Sequence, residues 1–273
     1  MSAFILKMMT PFRYRFWGWD IWRLSMFGAP ILRKSALIIL FFAAWQYGST
    51  HGWLNAAVIP PVDQIIVALW NGLTTGSLLS DISISLQRAG AAFFSAIFIG
   101  IPLGILMGRV RWLEEIFDPI LQLFRQTSPL ALYPVFILLM GLGEFSKIFV
   151  IFWGALFPTL IATMSGVKEV DQKLIEMAKS FGASQSIQFR RIILPAAVPA
   201  IFVGIRLTAT TALLLLIASE MIGANQGVGF QIMNAQYNFQ IALMYASIFV
   251  LAFLGLFINL SLVLLQKYLC RWQ

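Results

Sequence analysis

The segment KEVDQKLIEMAKSFGASQSIQFRRIILPAAVP, from Lys168 to Pro199, is charged and lies between two long apolar segments. Its first half has apolar residues at the spacing of one helical face, with lysines and a glutamate on the other face. The residues of that apolar face are Leu174, Ile175, Ala178 and Phe181. Because the flanking segments have the composition of a chain in lipid, this one is expected to face water and a protein partner.

The same segment is predicted to form two short helices joined at Gly182. Glycine ends a helix well, because it adopts the left-handed turn without a Cβ clash. Ser184 can cap the second helix, which Pro195 is expected to end. We refer to this helix–glycine–helix segment, residues 167–195, as the hook. A hook in a polar loop of a membrane protein fits a groove on a soluble subunit.

The composition indicates an integral membrane protein. Of the 273 residues, 60% are hydrophobic and 11% charged, with a mean hydropathy of +0.85, whereas soluble domains have about 25% charged residues. The single cysteine, Cys270, excludes internal disulfides and CxxC metal clusters. The single histidine, His51, leaves no basis for histidine-rich chemistry, and no GxxxxGK[ST] pattern for ATP binding occurs.

Six apolar segments approach the roughly 20 residues that a bilayer crossing requires. They cover residues 35–49, 87–108, 119–141, 146–166, 196–219 and 240–265. We therefore predict an all-α integral membrane protein with about six transmembrane helices. Its predicted divisions are a cytoplasmic amphipathic segment (1–34), a first transmembrane helix with an outer loop (35–78), a transmembrane core (79–266) and a cytoplasmic tail (267–273). Residues 63–74 of the outer loop are predicted to be helical.

The net charge of +8 is interpreted as a sign of topology. With six spans, fifteen of the 19 Lys and Arg fall on one side: six before the first span, two after the second, five in the hook and two at the C-terminus. Only Lys147 falls on the other side. The positive-inside rule therefore predicts that both termini and the hook are cytoplasmic, and a nucleic-acid partner loses its main support.

Gln126, Thr127 and Ser128 are candidates for the translocation pathway. Pro129 and Pro134 each remove a helical hydrogen bond from the third span, and these polar side chains can satisfy the freed carbonyls. A bent helix at membrane depth is expected only where it packs on protein or lines a cavity. The third span is therefore placed inside the bundle.

Two intramembrane arginines, Arg88 and Arg206, are further pathway candidates, since a charge at this depth is costly unless satisfied. Each can hold an oxyanion or pair with helix ends or with acids such as Glu220. Pairing is favoured for Arg206, while both interpretations stay open for Arg88. Glu220 is a candidate for an outer gate, whereas Glu144 is expected to be solvated at its helix end. The uncharged segment from Gly223 suits a gate, a docking loop or a re-entrant connector.

The hook carries a further pattern: Glu176, Ala178 and Gly182 are followed after nine residues by Ile192, Leu194 and Pro195. This pattern resembles the EAA signature of permease subunits of binding-protein-dependent ABC importers, although Met177 stands where the family usually has alanine. The segments that begin at Arg125, Ser180 and Ala218 are similar to the branch for nitrate, sulfonate, taurine and bicarbonate. That branch also includes permeases for thiamine-precursor pyrimidines.

The resemblance implies the type I ABC importer fold in a bacterial inner membrane. Its expected partners are a second permease copy, two cytoplasmic ATPase subunits that bind ATP and Mg²⁺, an extracytoplasmic solute-binding protein and membrane lipid. The chain itself is expected to bind no cofactor or metal and to catalyse no reaction. The hook then seats in the ATPase as a pair of coupling helices. The implied coupling residues are Glu176, Ala178, Phe181, Gly182, Ile187, Phe189, Arg190, Ile192, Leu194 and Pro195.

Two other function classes fit the sequence less well. An ion-coupled secondary transporter would show an inverted repeat with paired broken spans, and neither is visible in the sequence. A membrane-embedded enzyme would need a cluster of acids, bases or metal ligands, which one histidine, one cysteine and scattered carboxylates do not supply. A small oxyanion is the favoured solute, with a thiamine-precursor pyrimidine or another small organic solute as the alternative.

Overall fold

The structure is a computed structural model that describes residues 36–270. The helices in this range are α1 (Ala36–Thr50), α2 (Val62–Thr74), α3 (Leu78–Arg109), α4 (Arg111–Gln126), α5 (Pro129–Met140), α6 (Glu144–Lys168), α7 (Gln172–Ser180), α8 (Gln185–Gln188), α9 (Leu194–Gly223), α10 (Val228–Tyr237) and α11 (Ile241–Leu269). The helix predicted for residues 63–74 is confirmed as α2. The predicted N-terminal segment and the last three residues of the predicted tail lie outside the described residues.

Contacts divide the chain into two units, with the boundary between Asp63 and Gln64. In the described part of the first unit, the loop after α1 folds back on that helix. Trp45 Nε1 donates to the Pro60 carbonyl at 3.0 Å, and Ser49 Oγ donates to the Ile59 carbonyl at 2.7 Å. As described, α1 is apolar but shorter than the roughly 20 residues of a full crossing.

The second unit is built on four long apolar helices, α3, α6, α9 and α11. Helix α6 is central, because it packs along both α3 and α9, while α11 lies against α9 and α10. The buried residues of α11 are few and lie near its start. Its remaining apolar surface is therefore exposed, as expected of a helix that faces lipid.

Helices α3 and α6 approach each other closely along a glycine stripe at Gly100, Gly104 and Gly108. A Cβ at Gly104 would lie 2.6 Å from the Leu160 carbonyl oxygen, and one at Gly108 would lie 2.9 Å from Val167 Cβ. In lipid, helices gain little from burying apolar surface against each other, so close backbone packing at small residues is a main source of association. The stripe therefore fixes α3 on α6.

Helices α6 and α9 are joined in a similar way. A Cβ at Gly204 would lie 2.7 Å from Ala162 Cβ, so the two backbones come close at this level. Hydrogen bonds join the same two helices. The hydroxyls of Thr159 and Thr208 are hydrogen bonded at 2.5 Å, and Thr208 also donates to the Ala155 carbonyl at 3.0 Å. Helices α3, α6 and α9 thus form one closely packed unit.

The third predicted span, residues 119–141, is bent near its prolines as predicted, but it is broken into two helices rather than continuous. Its residues belong to α4 and α5, which meet at an angle of 97°. Ser128 has ψ 121°, because the proline that follows disfavours a helical backbone at the preceding residue. Pro129 then begins α5, where a missing N–H costs no hydrogen bond.

This break changes the number of crossings. Of the six predicted spans, four are long single helices, and the bent pair counts as one further crossing at most. The first predicted span corresponds to α1, whose described part is too short to count alone. The described residues therefore supply four crossings, or five if the bent pair is one span.

The glycine stripe can be tested with two alanine variants of α3. Gly104→Ala should lower the free energy of unfolding by about 1–3 kcal/mol, because its methyl group overlaps α6. Gly90→Ala is the matched control, since it lies on the same helix and, apart from the adjacent backbone of that helix, no described atom is within 4 Å of its Cβ position. Thermal unfolding in detergent compares the two midpoints. Equal midpoints would show that α3 and α6 are not fixed by this contact.

Candidate functional site

The first half of the hook ends as its sequence predicts. Gly182 has φ +75°, and the turn closes with two hydrogen bonds of a Schellman motif. Ala183 N donates to the Ala178 carbonyl at 3.0 Å, and Gly182 N donates to the Lys179 carbonyl at 2.9 Å. The prediction that Gly182 ends this helix is confirmed.

The second half of the hook differs from the prediction. Ser184 is the N-cap of α8, but its side chain makes no capping bond to the described residues. Pro195 does not end this helix, because the chain continues through a π-helical turn, Phe189–Ile193, into α9. In this turn the N–H of Leu194 bonds to the carbonyl five residues earlier, which is the wider spacing of a π-turn. The helix thus passes the proline without a break.

The hook exposes an apolar groove. It has a volume of about 480 Å³, and Leu174, Met177 and Phe181 line it beside Arg191. Phe181 is 85% exposed, the largest exposed fraction among these apolar side chains. Apolar side chains clustered on a polar segment mark an interaction surface.

The other predicted coupling residues divide by exposure. Glu176, Ile187 and Arg190 are exposed, Ala178 is buried, and Phe189, Ile192, Leu194 and Pro195 are half-buried. The guanidinium carbon of Arg109, at the end of α3, lies 4.8 Å from the centre of the Phe189 ring. Phe189 is therefore partly engaged within the chain.

At the opposite ends of α3, α6 and α9, charged side chains form a second site, which we refer to as the ion-pair cluster: Arg88, Glu144, Lys147 and Glu220. Arg88 Nε and Nη2 donate to the two carboxylate oxygens of Glu144 at 2.5 and 2.8 Å. Arg88 Nη1 donates to Glu220 Oε1 at 2.7 Å, and Lys147 Nζ donates to Glu144 at 3.0 Å. Arg88 is 3% and Glu220 1% exposed, so both charges depend on these partners.

Three consecutive backbone N–H groups hold the loop between α9 and α10 against the start of α3 and against Glu220 of the cluster. Gly227, Val228 and Gly229 donate to Asp81 Oδ1 at 2.8 Å, Ser85 Oγ at 2.9 Å and Glu220 Oε2 at 2.9 Å. Gly227 has φ +118°, and a Cβ there would lie 2.5 Å from the carboxyl carbon of Glu220. Only glycine fits at this position, because both the backbone angle and the contact exclude a side chain.

These contacts bear on the two interpretations of Arg88. Its bonds to Glu144, Glu220 and the Gln226 carbonyl use four of the five N–H donors of a guanidinium. In this conformation Arg88 therefore has little capacity to hold an anion, and pairing is favoured. The solvated state expected for Glu144 was wrong in part: its side chain is 58% exposed, yet both of its oxygens bind Arg88.

Sequence reasoning missed Asp81, Ser85 and the roles of Gly227 and Gly229. The signal was present, since Asp81, Ser85 and Arg88 stand at i, i+4 and i+7 and share one helix face. The segment from Gly223, for which a gate, a docking loop and a re-entrant connector stayed open, consists largely of the partly buried helix α10.

The other pathway candidates lie apart from the cluster. Arg206 Nη1 donates to Gln266 Oε1 of α11 at 3.3 Å, while its buried Nε has no hydrogen-bond partner in the described chain. Thr127 Oγ1 donates to the Leu123 carbonyl at 3.0 Å, but this carbonyl also accepts the N–H of Thr127 and is not one that a proline frees. Gln126 and Ser128 stand on either side of Thr127 at the α4–α5 break and are exposed. Within residues 36–270, no group of three or more His, Cys, Asp or Glu is arranged to hold a metal.

The ion-pair cluster predicts that substitution of two different glutamates lowers the free energy of unfolding by very different amounts. Glu220→Gln should lower the free energy of unfolding by about 3 kcal/mol or more, because it removes one partner of a buried ion pair. Glu115→Gln is the control, since Glu115 pairs with Arg111 on an exposed helix face, where such pairs contribute about 0.3–0.5 kcal/mol. Thermal unfolding of both variants in detergent is the measurement. Similar small losses would mean that the cluster is not needed for stability.

Comparison with known proteins identifies the family. Residues 100–272 match the family described as binding-protein-dependent transport system inner membrane component. A protein of Escherichia coli (strain K12) that carries the name aliphatic sulfonates transport permease protein SsuC is 37% identical over 231 residues, 85% of this chain and 88% of its own length. The taurine transport system permease protein TauC of the same strain is 32% identical over 278 residues, 100% of this chain and 98% of its own.

A solved structure supports the same fold. The MetNI methionine ABC transporter, in an inward facing conformation, has a chain that aligns with a TM-score of 0.60 at 20% identity, over 70% of this chain and 95% of that chain. The fold implied by the resemblance is thereby confirmed. The chain belongs to the family of inner membrane components of binding-protein-dependent transport systems, and it is a transport subunit rather than an enzyme.

Proposed function

We propose that this chain is the permease subunit of an ATP-driven importer and that the hook couples it to a separate cytoplasmic ATPase, which binds the ATP and Mg²⁺. The observation that carries this proposal is the exposed groove beside Phe181 on a hook between two spanning helices. The apolar groove supplies contact area, and Arg191 at its edge and the exposed Arg190 next to it in sequence can pair with acidic groups on the ATPase.

The packing of the helices supports a lever mechanism. The hook is continuous with α9 through the π-turn and follows α6 after a short turn, and both helices pack on each other and on α3. When the ATPase subunits close on ATP, a hook held in their cleft is displaced with them. The packed helices then tilt together, because the close glycine contacts leave little room for independent sliding.

The distribution of charge supports a cytoplasmic hook and a cytoplasmic C-terminus. At the hook ends of the long helices lie Arg109, Arg111, Lys168, Lys173, Lys179, Arg190, Arg191 and Lys267. At the opposite ends of the four long helices, only Lys147 among the described residues is a basic residue close to a helix end, while Arg125 lies at the α4–α5 break. The positive-inside rule then assigns the hook end to the cytoplasm. This argument does not depend on whether α1 crosses the membrane.

With this orientation, the ion-pair cluster lies at the outer end and acts as an outer gate. Its bonds join α3, α6, α9 and the α9–α10 loop, so this end is held closed while they persist. The α4–α5 break supplies Gln126, Thr127 and Ser128 as polar residues of the pathway, because non-helical backbone at membrane depth is tolerated where it lines a cavity.

The assembly follows from family membership and the hook. An inner membrane component of a binding-protein-dependent system acts with a solute-binding protein. We place that protein on the outer side, two ATPase subunits on the cytoplasmic side and two copies of this chain between them, because each copy carries one hook. The locations of both termini, in the cytoplasm, are part of the same proposal.

The proposed solute is a small oxyanion. The two named relatives are described as transporting aliphatic sulfonates and taurine, and both kinds of solute carry a sulfonate group. Nitrate and bicarbonate share the small, delocalised negative charge of that group. A thiamine-precursor pyrimidine is the alternative solute, and family membership disfavours an ion-coupled secondary transporter.

The coupling role can be tested at Gly182. Gly182→Asp should abolish ATP-dependent transport while membrane insertion and stability are retained. Apart from its two chain neighbours, no described atom lies within 4 Å of its Cβ position, and aspartate tolerates a positive φ better than most residues, so the fold survives. The added side chain instead obstructs the surface that faces the ATPase. The measurement is solute uptake by vesicles that hold the complete transporter.

The matched control is Gly52→Asp, because Gly52 also has a positive φ, +77°, with no described atom near its Cβ position. It should transport like the parent chain. Normal transport by Gly182→Asp would remove the hook from the coupling mechanism.

The solute class is tested by competition. Vesicles with the assembled transporter should take up labelled taurine, and unlabelled ethanesulfonate or nitrate should inhibit this uptake more strongly than an aminopyrimidine at the same concentration. Stronger inhibition by the pyrimidine would establish the alternative solute. The binding protein copurified with the complex supplies an independent measurement by mass spectrometry of its ligand.

A further inference from the structure

The contact between Arg109 and Phe189 joins α3 to the hook. Arg109 is the last residue of α3, and its guanidinium carbon lies 4.8 Å from the centre of the Phe189 ring. This distance is within the range of a cation–π interaction. Arg109 is exposed and Phe189 is half-buried, so the arginine covers one face of the ring.

This contact differs from the other links to the hook. Helices α6 and α9 are connected to it through the chain itself, whereas α3 is far from it in sequence. Phe189 is also the first residue of the π-turn, the point at which the hook passes into α9. Any displacement of the hook that moves Phe189 therefore acts on the end of α3 through Arg109.

The other end of α3 carries the residues that hold the outer cluster. Asp81, Ser85 and Arg88 lie in its first turns and bind the α9–α10 loop, Glu144 and Glu220. The helix has 32 residues, which corresponds to a length of about 48 Å. One continuous helix thus contacts the hook at one end and the ion-pair cluster at the other.

We propose that Arg109 is a positioning residue that transmits movement of the hook to α3 through the face of Phe189. This inference rests on the proposed function, since it assigns a second route for the same coupling. The route through α6 and α9 is covalent, and the route through Arg109 is a contact that can be weakened by one substitution. Loss of the contact leaves the ATPase able to hydrolyse ATP, with less of that movement reaching the gate.

The test measures solute transported per ATP hydrolysed by the complete transporter in vesicles. Arg109→Gln should lower this ratio about two- to five-fold, the factor that corresponds to a cation–π contact of about 0.5–1 kcal/mol. Arg111→Gln is the matched control and should leave the ratio unchanged. Arg111 carries the same charge two residues away, but it pairs with Glu115 on an exposed face of α4.

Two further variants separate the contact from the charge. Phe189→Leu keeps an apolar side chain but removes the aromatic face, so it should lower the ratio by a similar factor. Arg109→Lys keeps a cation that can lie over the ring and should retain most of the coupling. In the double variant of Arg109→Gln and Phe189→Leu, the ratio should fall no further than in either single variant, because both remove the same interaction.

Several results would overturn the inference. These are an unchanged ratio in Arg109→Gln, an equal fall in Arg111→Gln, or additive losses in the double variant. If Arg109→Gln does not assemble with the ATPase, Phe189→Leu and Arg109→Lys decide the question by the same ratio. Transport by the parent complex is measured in every experiment, so a failure of the proposed function, with no ATP-driven transport at all, is distinguished from a failure of this contact.

Discussion

The close approach of α3 to α6 at Gly104 is the contact on which the rest of this structure depends. Apolar helices in lipid gain little by burying apolar surface against each other, so their association needs close backbone packing. At Gly104 there is no space for even one methyl group between the two helices. This contact, with that of α6 and α9 at Gly204, packs together the three helices whose other ends carry the cluster.

The fold was predictable where the type of a residue allows only one backbone conformation. Gly182 ends α7 as expected because only a left-handed turn satisfies the last carbonyls there, and the long apolar segments became long helices. The prediction failed at two prolines, because the effect of a proline on the backbone depends on the conformation of the residues around it. Pro195 is passed by a π-turn, and Pro129 begins a new helix at 97° rather than bending an old one.

The candidate site was less predictable than the fold, for a related reason. Arg88 and Glu220 could be named from sequence because a charge among apolar residues is conspicuous. Their partners could not, because pairing depends on how α3, α6 and α9 are set against each other. Glu144 stands at a helix start, where solvation is the usual state, and only the packing of α3 brings Arg88 to it.

The pairing of Arg88 also limits how the outer end can open under the proposed function. Separation of α3 from α9 would break the ion pair between Arg88 and Glu220, both of which are buried, at a cost of several kcal/mol. Opening must therefore admit water to the cluster or exchange one ion pair for another. A solute with its own negative charge can take the place of a carboxylate beside Arg88 at that moment. Under the proposed function, Arg88 would therefore be open to an anion only while its pairs with Glu144 and Glu220 are broken.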